Sequence, residues 1–149
     1  MSDALAGLYQ QVILDHAKAR TGEGPLPDAD AEHHERNPTC GDEITVRIRL
    51  EPGTDRIADL RWQGAGCSIS MASASVLAEM APGRTVAEFT ALADAFRTML
   101  RSRGVGEPDE ELLGDAVAFQ GVAKFVMRVK CAMLAWVATE ASAELAVAR

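Results

Sequence analysis

The sequence predicts an α+β domain in which a small antiparallel β-sheet packs against several helices. Three observations carry this. Residues 43–51 and 56–63 alternate apolar and polar side chains, as half-buried strands do. Residues 3–18 and most of the chain after Ser68 repeat apolar side chains at helical spacing. The strands precede most of the helices instead of alternating with them, which is α+β order.

Over 3–18, Leu5, Leu8, Tyr9, Val12 and Ile13 form one apolar stripe, and Asp3 is placed to cap its start. The Gly/Pro-rich stretch Thr21–Pro27 and the acidic, His-bearing run to Arg36 read as a mobile surface loop over 19–36. One more short strand in the first 40 residues is barely signalled. In the first clear strand Ile44, Val46, Ile48 and Leu50 face one way, and Thr45, Arg47 and Arg49 the other. Pro52-Gly53-Thr54-Asp55 supplies a turn, and Ala58, Leu60 and Trp62 alternate after it, so a hairpin is expected. A helix over 68–80 ends at Ala81-Pro82-Gly83. The next opens near Thr85, runs through Met99 and buries Val86, Phe89, Leu92, Phe96 and Leu100. Pro108 begins a short acidic segment to Asp115, and a last helical stretch covers about 121–147, with a break expected near Lys130.

A length of 149 residues suits one domain, over 1–149, large enough to bury a core without disulfides. The formal net charge of −7 disfavours non-specific nucleic-acid binding, which needs cations for phosphates, and adsorption to anionic membranes. The longest uncharged apolar run near the C-terminus, Cys131 to Ala138, falls far short of a membrane span. Met1-Ser2-Asp3-Ala4-Leu5 lacks the basic start of a signal peptide, so a cytoplasmic protein with three reduced thiols is expected.

The candidate chemistry lies with those cysteines. Cys40 sits in the turn Asn37-Pro38-Thr39-Cys40-Gly41-Asp42 that enters the first clear strand. Cys67 follows Gly64-Ala65-Gly66 and precedes a helix N-terminus, where the helix dipole favours thiolate. Cys131 falls among Ala, Met and Leu. On the residues alone, a joint site and three small buried side chains both remain open, because no CxxC spacing is present. Asp42 lies at i+2 from Cys40, on the same side of an extended segment, so the two can face one metal; taken alone, it reads first as a cap of the turn. Several thiolates plus a carboxylate suit tetrahedral zinc. His16 reads as a capping or surface residue near a helix end, and His33 and His34 as a solvated pair. Lys124, Arg128 and Lys130 put cations near Cys131, with Arg128 three residues before it on the same helical face. Ser68, Ser70, Ser73 and Ser75 read as an N-cap and small packing residues. There is no phosphate loop and no nucleophile elbow.

Asn37-Pro38-Thr39-Cys40-Gly41-Asp42, Gly66-Cys67-Ser68-Ile69-Ser70 and Val129-Lys130-Cys131-Ala132-Met133-Leu134-Ala135-Trp136, in that order, resemble the SufU branch of the IscU/NifU-type iron–sulfur assembly proteins. The opening Leu8-Tyr9-Gln10-Gln11-Val12-Ile13-Leu14-Asp15-His16 is similar as well. Lys130 stands where scaffold-type members place a His, and the segment between the second and third cysteines is long, as in the SufU branch. The loop 19–36 departs from the Asn-Pro-Arg-Asn usual after the first helix.

The resemblance implies a SufE/NifU-like fold and a zinc ion held by Cys40, Asp42, Cys67 and Cys131. It implies a zinc-dependent sulfurtransferase, in which Cys40 takes persulfide sulfur from a SufS-type cysteine desulfurase for a downstream Suf-type scaffold. Arg128 matches an arginine linked to activity. The alternative it leaves is a scaffold on which a [2Fe–2S] cluster is assembled, since the same ligands serve either metal.

Overall fold

A computed structural model describes residues 3–148, with side chains from residue 4. The Asp3 side chain expected to cap the first helix, and Met1 and Ser2, fall outside the described residues. The elements run α1 (Asp3–Ala19), β1 (Ala31–Arg36), β2 (Glu43–Leu50), β3 (Ile57–Ala65), α2 (Ser68–Met80), α3 (Val86–Arg101), α4 (Glu110–Leu113), a 3₁₀ segment (Gly114–Lys124) and α5 (Val126–Ala148). The three strands form an antiparallel meander in the order β1-β2-β3.

The alternation in β2 does what its pattern predicts. Ile44, Val46, Ile48 and Leu50 are buried and the residues between them are half-buried. Val46 pairs with Trp62 and Ile48 with Leu60, so the hairpin presents one apolar face. α5 crosses that face, and Ser142 donates its hydroxyl proton to the Val46 carbonyl at 2.9 Å.

β1 corrects the expected loop. Its sequence, Ala-Glu-His-His-Glu-Arg, carries almost no apolar signal. It is an edge strand held by its backbone ladder to β2 and by polar pairs across it. Glu32 accepts from Arg47 at 2.9 Å, and His34 and Thr45 bond at 3.0 Å. His33 is half-buried and bonds Glu35 at 3.0 Å, so the histidine pair belongs to the sheet.

The helical half is centred on Trp136. Its ring stacks on Phe96 at 4.2 Å and on Phe89 at 5.8 Å, and Phe119 meets Phe96 edge-on. All four side chains are fully buried, each contributing about 1.5–3 kcal/mol of transfer free energy. α3 starts on a capping box: Thr85 Oγ1 accepts from the Glu88 N–H, and Glu88 accepts from the Thr85 N–H. The break expected near Lys130 lies at Phe125, which is extended (φ −119°, ψ 98°) between the 3₁₀ segment and α5. A 3₁₀ run of 11 residues is long for that geometry. α5 is the one described helix long and apolar enough to cross a membrane, with a mean hydropathy of 1.3 over its most apolar window. Of that window, 61% is buried inside the fold, as in a core helix.

His16 also departs from its expected place. It is buried, with Nδ1 2.9 Å from Ser75 Oγ and Nε2 3.1 Å from Asp115 Oδ2. Ser75 Oγ also accepts the Thr21 N–H, and the Asp115 carboxylate, which can only accept, takes the Nε2–H. The imidazole therefore ties α1 to α2 and to the 3₁₀ segment.

Candidate metal centre

Three segments meet at one end of the sheet. The first is the loop 37–42, closed on buried Asn37. The Asn37 N–H donates to the Asp42 carbonyl at 2.8 Å, the Gly41 N–H to the Asn37 carbonyl at 2.8 Å, and the Thr39 N–H to Asn37 Oδ1 at 3.0 Å. Gly41 has φ +79°, a left-handed turn that glycine adopts without strain. The loop leaves Cys40 exposed and folds the Asp42 side chain inward, where only 6% of the residue is accessible.

The second segment links β3 to α2. A Cβ on Gly66 would stand 2.7 Å from Asp42 Cγ, so a glycine is required for the two strands' ends to approach this closely. Cys67 is the N-cap of α2, half-buried, with Sγ 3.6 Å from Ser70 Oγ. The third is the second turn of α5, where Cys131 is 1% exposed and its thiol donates to the Met127 carbonyl at 3.7 Å. This turn is locked to α2: Ser73 donates to the Ala132 carbonyl at 2.6 Å and accepts from Trp136 Nε1 at 2.9 Å.

Cys40 Sγ lies 3.8 Å from Cys131 Sγ. The ligand atoms of Cys40, Asp42 and Cys131 all lie within 4.8 Å of one another. Cys67 lies outside that tight cluster but borders it, near enough to act on the ionisation of both the Asp42 carboxylate and the Cys131 thiol. Two sulfurs about 2.3 Å from one zinc at the tetrahedral angle stand roughly 3.8 Å apart. The Cys40–Cys131 spacing therefore fits a zinc ion.

The electrostatics fit a cation too. Burial pushes the Asp42 carboxyl up, but hydrogen bonds from Ser70, from the Cys67 side chain and N–H, and from Cys40 outweigh it and hold the group below the usual carboxylate range. Burial, then the neighbouring Cys67 and Cys40, pushes the Cys131 thiol up to about 12. With no cation this thiol keeps its proton; a bound dication reverses that preference. Arg128 is exposed at the rim, and the Cys67 sulfur first, then Cys131, raises its guanidinium above the ordinary value.

The other expected cations lie elsewhere. The Lys124 stem packs at Gly104, and Lys130 lines a small groove with Arg36, Pro38 and Met133. Sequence reasoning missed Ser70, which donates to Asp42 Oδ2 at 2.5 Å. Its only signal was its place three residues after Cys67, on the same face of the first turn of a helix. A groove of about 670 Å³, walled by Tyr9, Ile13, Leu14, Ile69, Phe125 and Arg128, opens beside Cys67.

Residues 8–132 match the family model for the NifU-like N-terminal domain. The chain is 40% identical to the zinc-dependent sulfurtransferase SufU of Bacillus subtilis (strain 168), over 89% of this chain and 87% of that protein. It is also 40% identical to the iron–sulfur cluster assembly scaffold protein IscU of Streptococcus pyogenes serotype M1, over 87% and 78%. Among solved structures, FiSufU from Fervidobacterium islandicum AW-1, described as a candidate scaffold for the SUF system, superposes with a TM-score of 0.81. That structure is 32% identical, over 89% of this chain and 94% of its own. With its three cysteines meeting where the fold places them, the chain belongs to the NifU-like N-terminal domain family, among the IscU/SufU-type iron–sulfur cluster assembly proteins.

Proposed function

We propose that this protein is a zinc-dependent sulfurtransferase of the cytoplasm, acting as one domain over 1–149. It accepts persulfide sulfur from a SufS-type cysteine desulfurase and passes it to a downstream Suf-type scaffold. The observation that carries this reading is the pairing of one exposed sulfur, Cys40, with a buried thiol 3.8 Å away and a buried carboxylate. A zinc held by Cys40, Asp42, Cys67 and Cys131 would keep its thiolates deprotonated and bring no redox chemistry of its own.

Cys40 does the transfer, because a partner's active site reaches an exposed loop sulfur and not Cys131 at 1% exposure. Its thiolate attacks the outer sulfur of the partner's cysteine persulfide. The new S–S bond forms on Cys40, the partner's S–S bond breaks, and the partner's cysteine leaves as thiolate. Arg128, at the rim beside the sulfurs, favours the anionic sulfur as it arrives. The apolar groove past Phe125 and Leu14 offers the partner a contact surface next to that sulfur.

The second reading, a [2Fe–2S] scaffold, draws support from the IscU relative at equal identity. Lys130 before Cys131, where scaffold-type members carry His, favours transfer. Mass spectrometry after one turnover with desulfurase and cysteine separates the two. We expect a gain of about 32 Da, one sulfur atom, on Cys40, and none in Cys40→Ser. An adduct on Cys67 or Cys131 with Cys40 unmodified overturns the assignment. Purified protein that is brown, with iron and sulfide instead of one zinc, selects the scaffold.

A further inference from the structure

We infer that Ser70 is a positioning residue of the metal centre: its hydroxyl holds one oxygen of Asp42 and so fixes how the carboxylate is presented to a cation. The inference rests on the zinc reading above and adds a residue to it.

Ser70 is 1% exposed in the first turn of α2. Its Oγ donates to Asp42 Oδ2 at 2.5 Å, a short bond to a carboxylate. A serine has one proton to give. With that proton on Asp42, Ser70 has none left for the Cys67 sulfur 3.6 Å away.

The rest of the cage restrains the same carboxylate. Gly66 lies flush against it, with a hypothetical Cβ 2.7 Å from Cγ, 2.9 Å from Cβ and 3.0 Å from Oδ1. Asp42 is thus confined between Gly66 and Ser70. Zinc with three sulfurs needs a single oxygen to complete four-coordination; a two-oxygen carboxylate would make five. Ser70 therefore pre-orients the carboxylate that would complete four-coordination, as outer partners of metal ligands do.

The test uses the full chain and three variants. Zinc affinity is measured by chelator competition, and coordination by the visible absorption of the cobalt(II)-loaded protein, which is strong for four-coordinate and several-fold weaker for five-coordinate ions. Ser70→Ala should lose roughly 10- to 100-fold in zinc affinity and weaken the cobalt band. Ser70→Thr, which keeps the hydroxyl, should restore both. Gly66→Ala should weaken the band too, by displacing the carboxylate while Ser70 remains. Ser70→Ala with wild-type affinity and spectrum, or with only a lower melting temperature, overturns the inference. If Ser70→Ala does not fold, Gly66→Ala with an unchanged band overturns it instead. Wild-type protein that takes up neither zinc nor cobalt through its three cysteines defeats the zinc reading itself, a different outcome from a silent Ser70→Ala.

Discussion

Arg128 stands at the mouth of the centre, with its guanidinium beside the sulfurs of Cys67 and Cys131. It is exposed, so water screens its field and its effect is modest. Arg128→Ala should slow sulfur transfer roughly two- to fivefold with one zinc still bound, and the difference should shrink as salt is raised. Parallel zinc analysis and single-turnover rates at low and high salt check this; loss of zinc in the variant would make Arg128 a structural residue instead. Asp42 and His16 show why single polar residues are hard to read. An Asp two residues after a cysteine serves a turn or a metal equally well until Gly66 and Ser70 are seen to close on it. A histidine near the end of an amphipathic helix looks exposed until Ser75 and Asp115, 59 and 99 residues away, are brought to its two nitrogens.

The elements differ in what holds them. α3 carries its own start signal, so its stability answers to a local change. Thr85→Ala removes the hydroxyl that accepts the Glu88 N–H and should cost about 1 kcal/mol, read from denaturant midpoints; an unchanged midpoint would show the box to be idle. The Thr85 N–H, then its side chain, holds the Glu88 carboxyl below its ordinary value of 4.5. A carboxyl lowered on folding stabilises the native state above the ordinary value and loses that contribution as the pH falls through the folded one. Glu88→Ala should therefore be more costly at pH 7 than at strongly acid pH, where protonation weakens the same bond in the wild type; a penalty equal at both would contradict this. β1 has no such local signal. Its polar residues pair only because β2 presents a free edge, which is why it reads as loop in isolation.

At the scale of the molecule, a zinc held as proposed would be a source of stability separate from the core. The ligand-bearing segments, 37–42 and 64–68, have few apolar anchors, whereas Trp136, Phe89, Phe96 and Phe119 hold the helices without any metal. Chelating zinc should speed hydrogen exchange in 37–42 and 64–68 far more than in α3 and the later turns of α5. Equal loss of protection throughout, or loss of far-UV helicity in step with zinc, would mean the metal organises the whole fold.

What the sequence by itself determined is the part written in local periodicity and local chemistry. The period-2 run of β2, the hairpin after it, the capped α3 and the order of strands before helices are all sequence-neighbour properties, and each formed where its pattern lies. Three cysteines in recognisable settings were legible for the same reason, and the motifs around them carried the family. Only the tertiary structure decided which groups meet. It set Cys131 3.8 Å from Cys40 across 91 residues, placed Cys67 at the edge of the cluster, and turned Ser70 from a packing residue into a donor to Asp42. It moved the helix break to Phe125 and added an edge strand that no apolar pattern announces. Distances between remote side chains follow from how the sheet, α2 and α5 pack together, and packing is a property of the folded whole that no short window of sequence contains.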